Sequence, residues 1–166
     1  SPAAFKPDGA RSSPSGSPEE PMNPKILIVD DEPAARHGLR RALGAMPCEI
    51  VEAADGVAAL EEIERSDPDL LVCDIEMPKL DGIALMKTLA GRQNTPPVIM
   101  ITAYGSERIA VEAMRAGAYD YLSKPYEVDE LRCTVEKALE TIRLRRENES
   151  LRAELRQRAG FGMMVS

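Results

Sequence analysis

Asp30-Asp31, Asp74, Thr102 and Lys124 are the residues of this chain whose types and placement could do chemistry together. Each stands at or just past the end of a short apolar run: Ile26-Leu27-Ile28-Val29, Leu70-Leu71-Val72-Cys73, Val98-Ile99-Met100-Ile101 and Tyr121-Leu122. Carboxylates gathered in one place repel, which raises the pKa of some of them unless a cation compensates. A donor set of oxygens alone, with no His or Cys thiolate, favours a hard ion such as Mg²⁺ that keeps several waters and shares a phosphoryl group. Lys124 adds a point charge suited to a phosphoryl oxygen and Thr102 a hydroxyl suited to another. An Asp beside Mg²⁺ is a competent nucleophile toward a phosphoryl donor.

The elements that must position these residues follow from hydrophobic patterning. Strands are predicted over Lys25–Asp30, Glu49–Ala53, Asp69–Asp74, Pro97–Ile101 and Tyr119–Leu122, and helices over Pro33–Leu43, Gly56–Arg65, Gly82–Ala90 and Ser106–Ala116, with a long one from Glu127. Five β-then-α units in about 120 residues imply a doubly wound α/β fold, a parallel sheet with helices on both faces and right-handed crossovers. Ligands in such sheets sit beyond the carboxyl ends of the strands at the topological switch point. Those are the ends that carry the Asp, Thr and Lys.

Singly, each residue has a plainer reading. Asp30 or Asp31 could cap the helix that begins near Pro33, Asp74 could be a turn residue before Met77-Pro78, and Lys124 could be a solvated charge. Their coincidence at one sheet edge outweighs these readings. Gly82 is expected to serve a turn or close packing, and Met86, Met100 and Met114 to fill the core. His37, among Arg36, Arg40 and Arg41, reads as surface, and Cys73 as a small buried hydrophobe.

Composition excludes several classes. The 166 residues carry a formal net charge of -7. Apolar runs of about four residues are far short of the ~20 needed to span a bilayer. Three dispersed cysteines and one histidine make neither a disulfide scaffold nor a zinc site, so a reduced, cytoplasmic setting is expected. Residues 22–139 hold 13 Lys+Arg against 21 Asp+Glu, net -8, which argues against direct nucleic-acid contact by this chain. Residues 1–21 contain five Pro, five Ser and two Gly. They are expected to be a disordered leader, native or appended, with Met22 as the natural start.

Residues 24 to about 140 closely resemble the receiver domain of two-component response regulators. The resemblance is carried by Asp30-Asp31, by Asp74-Ile75-Glu76-Met77-Pro78-Lys79-Leu80-Asp81-Gly82, by Thr102-Ala103 and by Tyr121-Leu122-Ser123-Lys124-Pro125. It implies a flavodoxin-like sheet of order 2-1-3-4-5 and a phosphoacceptor role for Asp74. It implies a Mg²⁺ site made by Asp31, Asp74 and the backbone carbonyl of Glu76, with Asp30 acting mainly through water. Thr102 and Lys124 would contact the phosphoryl group, Thr102 and Tyr121 would act as the switch, and Lys124-Pro125 would be cis. A histidine kinase would be the phosphodonor.

The last predicted helix has no Gly or Pro until Gly160. Leu131, Val135, Ala138 and Ile142 follow one helical register, and Leu144, Asn148, Leu151 and Leu155 begin another at spacings of 4, 3 and 4. The second is a short heptad seam with Asn at an a position, which predicts a homodimer through a helical linker over 140–159 as well as through the receiver at 22–139. Residues 160–166, Gly-Phe-Gly-Met-Met-Val-Ser, read as the truncated start of a following domain. A receiver, a charged helix and this phrase together resemble the sigma-54-dependent, nitrogen-regulatory type of transcription activator, and Tyr104-Gly105 suits that group. The expected function is therefore a phosphorylation-dependent switch that controls oligomerisation of a transcription-activating module. The alternatives are a stand-alone receiver that binds a partner protein and, less favoured, an aspartyl-phosphate phosphohydrolase. In the latter an Asp would stand two residues after the nucleophile, where this chain has Glu76.

Overall fold

β1 (Lys25–Val29), β3 (Leu70–Asp74) and β4 (Val98–Thr102) are unbroken apolar strands, and nearly every residue in them is buried. Such runs suit strands covered on both faces. β2 (Glu49–Ala53) and β5 (Asp120–Ser123) carry charged or polar residues and are partly exposed, as befits edges. The five strands are parallel in the order β2-β1-β3-β4-β5, the order the resemblance implied. The computed structural model describes residues 23–77, 80–92, 95–103 and 107–165, with 159–165 as backbone only. The expectations placed on the leader 1–21, Met22, Pro78-Lys79, Tyr104-Gly105, Ser106, Ser166 and the side chains of the 160–166 phrase lie outside these residues.

Side chains alternate between two cores. Leu27, Val29, Leu71, Cys73 and Met100 face the layer of α2 (Gly56–Ser66), α3 (Gly82–Ala90) and α4 (Glu107–Arg115). Ile26, Ile28, Val72, Ile99 and Ile101 face α1 (Pro33–Leu43) and α5 (Val128–Val165). α1 starts with Pro33 at its first position, where the missing N–H costs nothing. α2 and α3 start under Asp55 and Asp81, which accept hydrogen bonds of 2.8 Å from Ala58 N and Ala84 N.

Two expectations are corrected. Met114 is not core: Ala110 and Ala113 are the buried positions of α4, and Met114, one residue round the helix, is 39% exposed. The long helix does not stop before Gly160 but continues through Gly160 and Gly162 to Val165, each helical Gly costing only about 1 kcal/mol. No described helix is long and apolar enough to cross a membrane.

α5 has two faces. Leu131, Val135 and Ala138 are buried against the sheet. Further along, the Tyr119 hydroxyl meets Thr141 Oγ1 at 3.3 Å, and Arg146 pairs with Asp69 beside the start of β3. At roughly 100° per residue, Leu144 lies about 200° round the helix from Ile142. Leu144, Leu151 and Leu155 are 50%, 59% and 62% exposed, and Asn148 is exposed with them.

Candidate functional site

Sheet register places the chemistry. Val29 is paired with Cys73, so Asp30 and Asp74 follow side by side where the strand order reverses. Asp74 is paired with Ile101 and is thus one step from Thr102, Thr102 is paired with Ser123, and Lys124 comes next. Carboxylate oxygens of Asp30, Asp31 and Asp74 lie within 4.8 Å of one another, Asp30 and Asp74 buried and Asp31 exposed. Lys124 Nζ stands 3.5 Å from Asp74 Oδ2. Thr102 Oγ1 donates to the Leu122 carbonyl at 3.4 Å and lies 3.4 Å from Ser123 Oγ.

The main chain helps to aim these groups. Asp30 Oδ1 accepts from Glu32 N at 2.9 Å and Asp74 Oδ1 from Glu76 N at 3.3 Å. The loop after Asp74 closes through a 2.9 Å bond from Gly82 N to the Ile75 carbonyl. A Cβ at Gly82 would stand 2.9 Å from the Asp74 carbonyl oxygen and from Ile75 Cα, so only glycine fits this approach. Lys124-Pro125 is cis. Lys124 N donates to the Thr102 carbonyl at 2.8 Å.

Burial pushes the Asp30 carboxyl above the usual carboxylate range, only partly opposed by the Glu32 N–H and Lys124. Burial likewise raises Asp74, against the pull of Lys124 and with the push of Asp30. Burial alone would lower Lys124, but Asp74 and Asp30 outweigh it and hold its ammonium charged. The Cys73 thiol is driven up by burial and the neighbouring carboxylates, so it is inert. Three carboxylates share one lysine, so the cluster has more acidic groups than cations to compensate them. Three carboxylates without nitrogen or sulfur ligands fit a hard divalent cation.

The structure thus brings together Asp30, Asp31, Asp74 and Lys124, with Thr102 on the adjoining strand and Glu76 two residues past Asp74, its side chain exposed. Tyr121 stands apart, in register with Met100 and 40% exposed. Leu144, Asn148, Leu151 and Leu155 lie on the part of α5 past its sheet-packing residues. A cleft of about 630 Å³ adjoins the loop, lined by Ile75, Glu76, Met77, Ile83, Lys87 and Ile109 among others, but Asp30, Asp31, Thr102 and Lys124 do not line it.

Sequence reasoning missed Arg36 and Glu52. Arg36 Nη1 donates to the Asp30 carbonyl at 2.6 Å and its Nε pairs with Glu52 Oε1 at 3.2 Å. The available signal was its sign: a cation near a helix N-terminus opposes the dipole and needs an acceptor nearby.

A doubly wound parallel sheet with an acidic cluster at its switch point, a Thr and a Lys on the neighbouring strand ends, defines a receiver-type domain. Residues 26–136 match the response regulator receiver domain family, and the chain belongs to it. Among curated relatives, it is 40% identical over 123 residues to the regulatory protein AtoC of Escherichia coli, covering 74% of this chain and 27% of that protein. It is 39% identical over 135 residues to the C4-dicarboxylate transport transcriptional regulatory protein DctD of Pseudomonas aeruginosa, covering 81% of this chain and 29% of that one. Among solved structures, NtrX from Brucella abortus superposes with a TM-score of 0.73 at 38% identity, over 78% of this chain and 30% of that one. The chain therefore spans less than a third of the length of each of these relatives.

Proposed function

We propose that the chain is a phosphorylation-dependent switch whose Asp74 accepts a phosphoryl group from a histidine kinase. The observation that carries this is the convergence of three carboxylates within 4.8 Å, with Lys124 3.5 Å from Asp74. An Asp74 carboxylate oxygen attacks phosphorus, the bond to the donor breaks, and an acyl phosphate forms. Asp31, Asp74 and the Glu76 carbonyl would hold Mg²⁺, with Asp30 acting mainly through water, and the ion would offset the charge gathering between carboxylates and phosphoryl oxygens. Lys124 pairs with one phosphoryl oxygen, and Thr102, whose resting hydrogen bond at 3.4 Å is long, swings to another. That movement frees space for the Tyr121 ring, a two-state element biased by a local charge.

The output is a change in self-association. Residues 22–139 form the receiver and 140–159 the helical linker, which pairs with a second copy through Leu144, Asn148, Leu151 and Leu155. The whole protein, on this reading, is a cytoplasmic transcription activator of the sigma-54-dependent type. The likeness to AtoC, a regulatory protein, and to DctD, a transcriptional regulatory protein, supports a role in regulation of transcription.

The chemical test is the lability of the product. After incubation with a small acyl or amido phosphate and Mg²⁺, bound phosphate is expected to be released by hydroxylamine, which cleaves acyl phosphates, and to survive in mild acid. Phosphate that resists hydroxylamine would place the modification on a hydroxyl and contradict the assignment.

A further inference from the structure

The acidic turn after β1 has few tethers. Asp30 N donates to the Ala53 carbonyl at 3.2 Å, and past that point no sheet bond holds the chain until α1 begins. Asp30 is fixed through its carboxylate by Glu32 N. Asp31 is exposed, and among the described residues its carboxylate has no hydrogen-bond partner. Among the described residues, then, the backbone alone fixes where this side chain starts from and the Cα–Cβ direction it takes. The Asp30 carbonyl and Asp31 nitrogen share one rigid peptide plane, and that carbonyl accepts the 2.6 Å charge-assisted bond from Arg36 Nη1.

Arg36 is itself held. Its side chain is only 19% exposed, and its Nε faces Glu52 Oε1 at 3.2 Å, while Arg40 takes the other Glu52 oxygen. Hydrogen bonding from Arg40, then from Arg36, keeps the Glu52 carboxyl below the usual range, so it stays charged. A chain of contacts thus runs from β2 through Glu52 and Arg36 to the peptide that carries Asp31.

We infer that Arg36 is a positioning residue for the cation site, clamping the Asp30–Asp31 peptide so that the Asp31 carboxylate converges on Asp30 and Asp74. The inference rests on reading that cluster as a divalent-cation site. Arg36 is directed at the carbonyl rather than at a carboxylate, so it orders the turn while leaving all three carboxylates open to the ion.

The test is calorimetric titration of the full, metal-free chain with MgCl₂. Arg36→Gln is expected to weaken Mg²⁺ binding by roughly 10-fold, as loss of outer-shell support does at metal sites. Arg36→Lys should recover part of that loss. Glu52→Gln, which leaves the sequence of α1 unchanged but weakens the hold on Arg36 Nε, should cost less than Arg36→Gln on the same scale. If Arg36 acts through Asp31, then in an Asp31→Asn background Arg36→Gln adds little further loss, an outcome that a merely stabilising role for Arg36 would not give. Wild-type affinity in Arg36→Gln, or losses from the two substitutions that add in full, would overturn the inference. Absence of Mg²⁺ binding by the wild type would instead overturn the cation-site reading itself, and the inference with it.

Discussion

Asp30→Asn is expected to make the metal-free protein more stable at neutral pH, not less. Asp30 is 1% exposed, and burial holds its carboxyl above the usual range, with Asp31 and Glu32 adding repulsion. A carboxylate with a raised folded-state pKa binds more protons folded than unfolded, between its ordinary and raised values. Stability therefore falls as pH rises through that window and stays lowered above it. Asparagine keeps the Oδ1 acceptor for Glu32 N and removes the charge. A gain in stability follows, and it grows with the extent to which burial raises the Asp30 carboxyl. Chemical unfolding in chelator should show the wild type firmer at mildly acid than at neutral pH and the variant flatter over the same range. Added Mg²⁺ should stabilise the wild type by mass action and the variant far less. A variant weaker than wild type at neutral pH in chelator would refute this picture. Asp74 is the poorer probe, because removing its charge strands Lys124.

Leu151→Asp is expected to abolish most self-association. Leu151 is 59% exposed in the single chain and lies in the middle of the seam, so a dimer would bury two copies of it. A fully buried leucine is worth roughly 1.5–3 kcal/mol, which for two copies converts to more than a 100-fold change in the dimer constant. Asn148, at an a position, faces its symmetry mate, and Asn148→Leu should strengthen association while relaxing the two-stranded, in-register pairing. Glu140 and Glu147 fall at g, and Arg145 and Arg152 at the following e positions, so a parallel pair gains attractive contacts. In the single helix both glutamates already bond Arg143, at 2.6 and 3.1 Å. The interhelical pairs are thus shared acceptors, worth at most ~1 kcal/mol each. Sedimentation equilibrium reads the result. An unchanged dimer constant in Leu151→Asp would make the helix a solvated rod.

The elements were legible because the patterns were strong. Unbroken apolar runs in β1, β3 and β4 announced strands buried on both faces, and the patterned stretches between them announced the helices, whose Asp55 and Asp81 caps the structure adds. Ends drifted by a residue: Asp30 lies outside β1 although its N–H still bonds Ala53, and β5 starts at Asp120 although Tyr119 N donates to Val98 at 2.8 Å. Met114 was misread because a methionine's type says nothing of its helical register. Convergence of Asp30, Asp31 and Asp74 was readable, since strand ends in a parallel sheet share an edge. Arg36 was not: its target is a backbone carbonyl six residues back, and that contact exists only once α1 has turned against the sheet. Arg146 meeting Asp69, 77 residues apart, is hidden for the same reason.

The central claim is that Asp74 takes up a phosphoryl group with the help of a divalent cation. Intact mass of the chain after incubation with acetyl phosphate tests it most directly. The wild type is expected to gain the mass of one phosphoryl group with Mg²⁺ present, to gain none in chelator, and to lose the label on standing. Asp74→Asn should gain none under any condition. Equal labelling of Asp74→Asn, or full labelling of the wild type in chelator, would contradict the account.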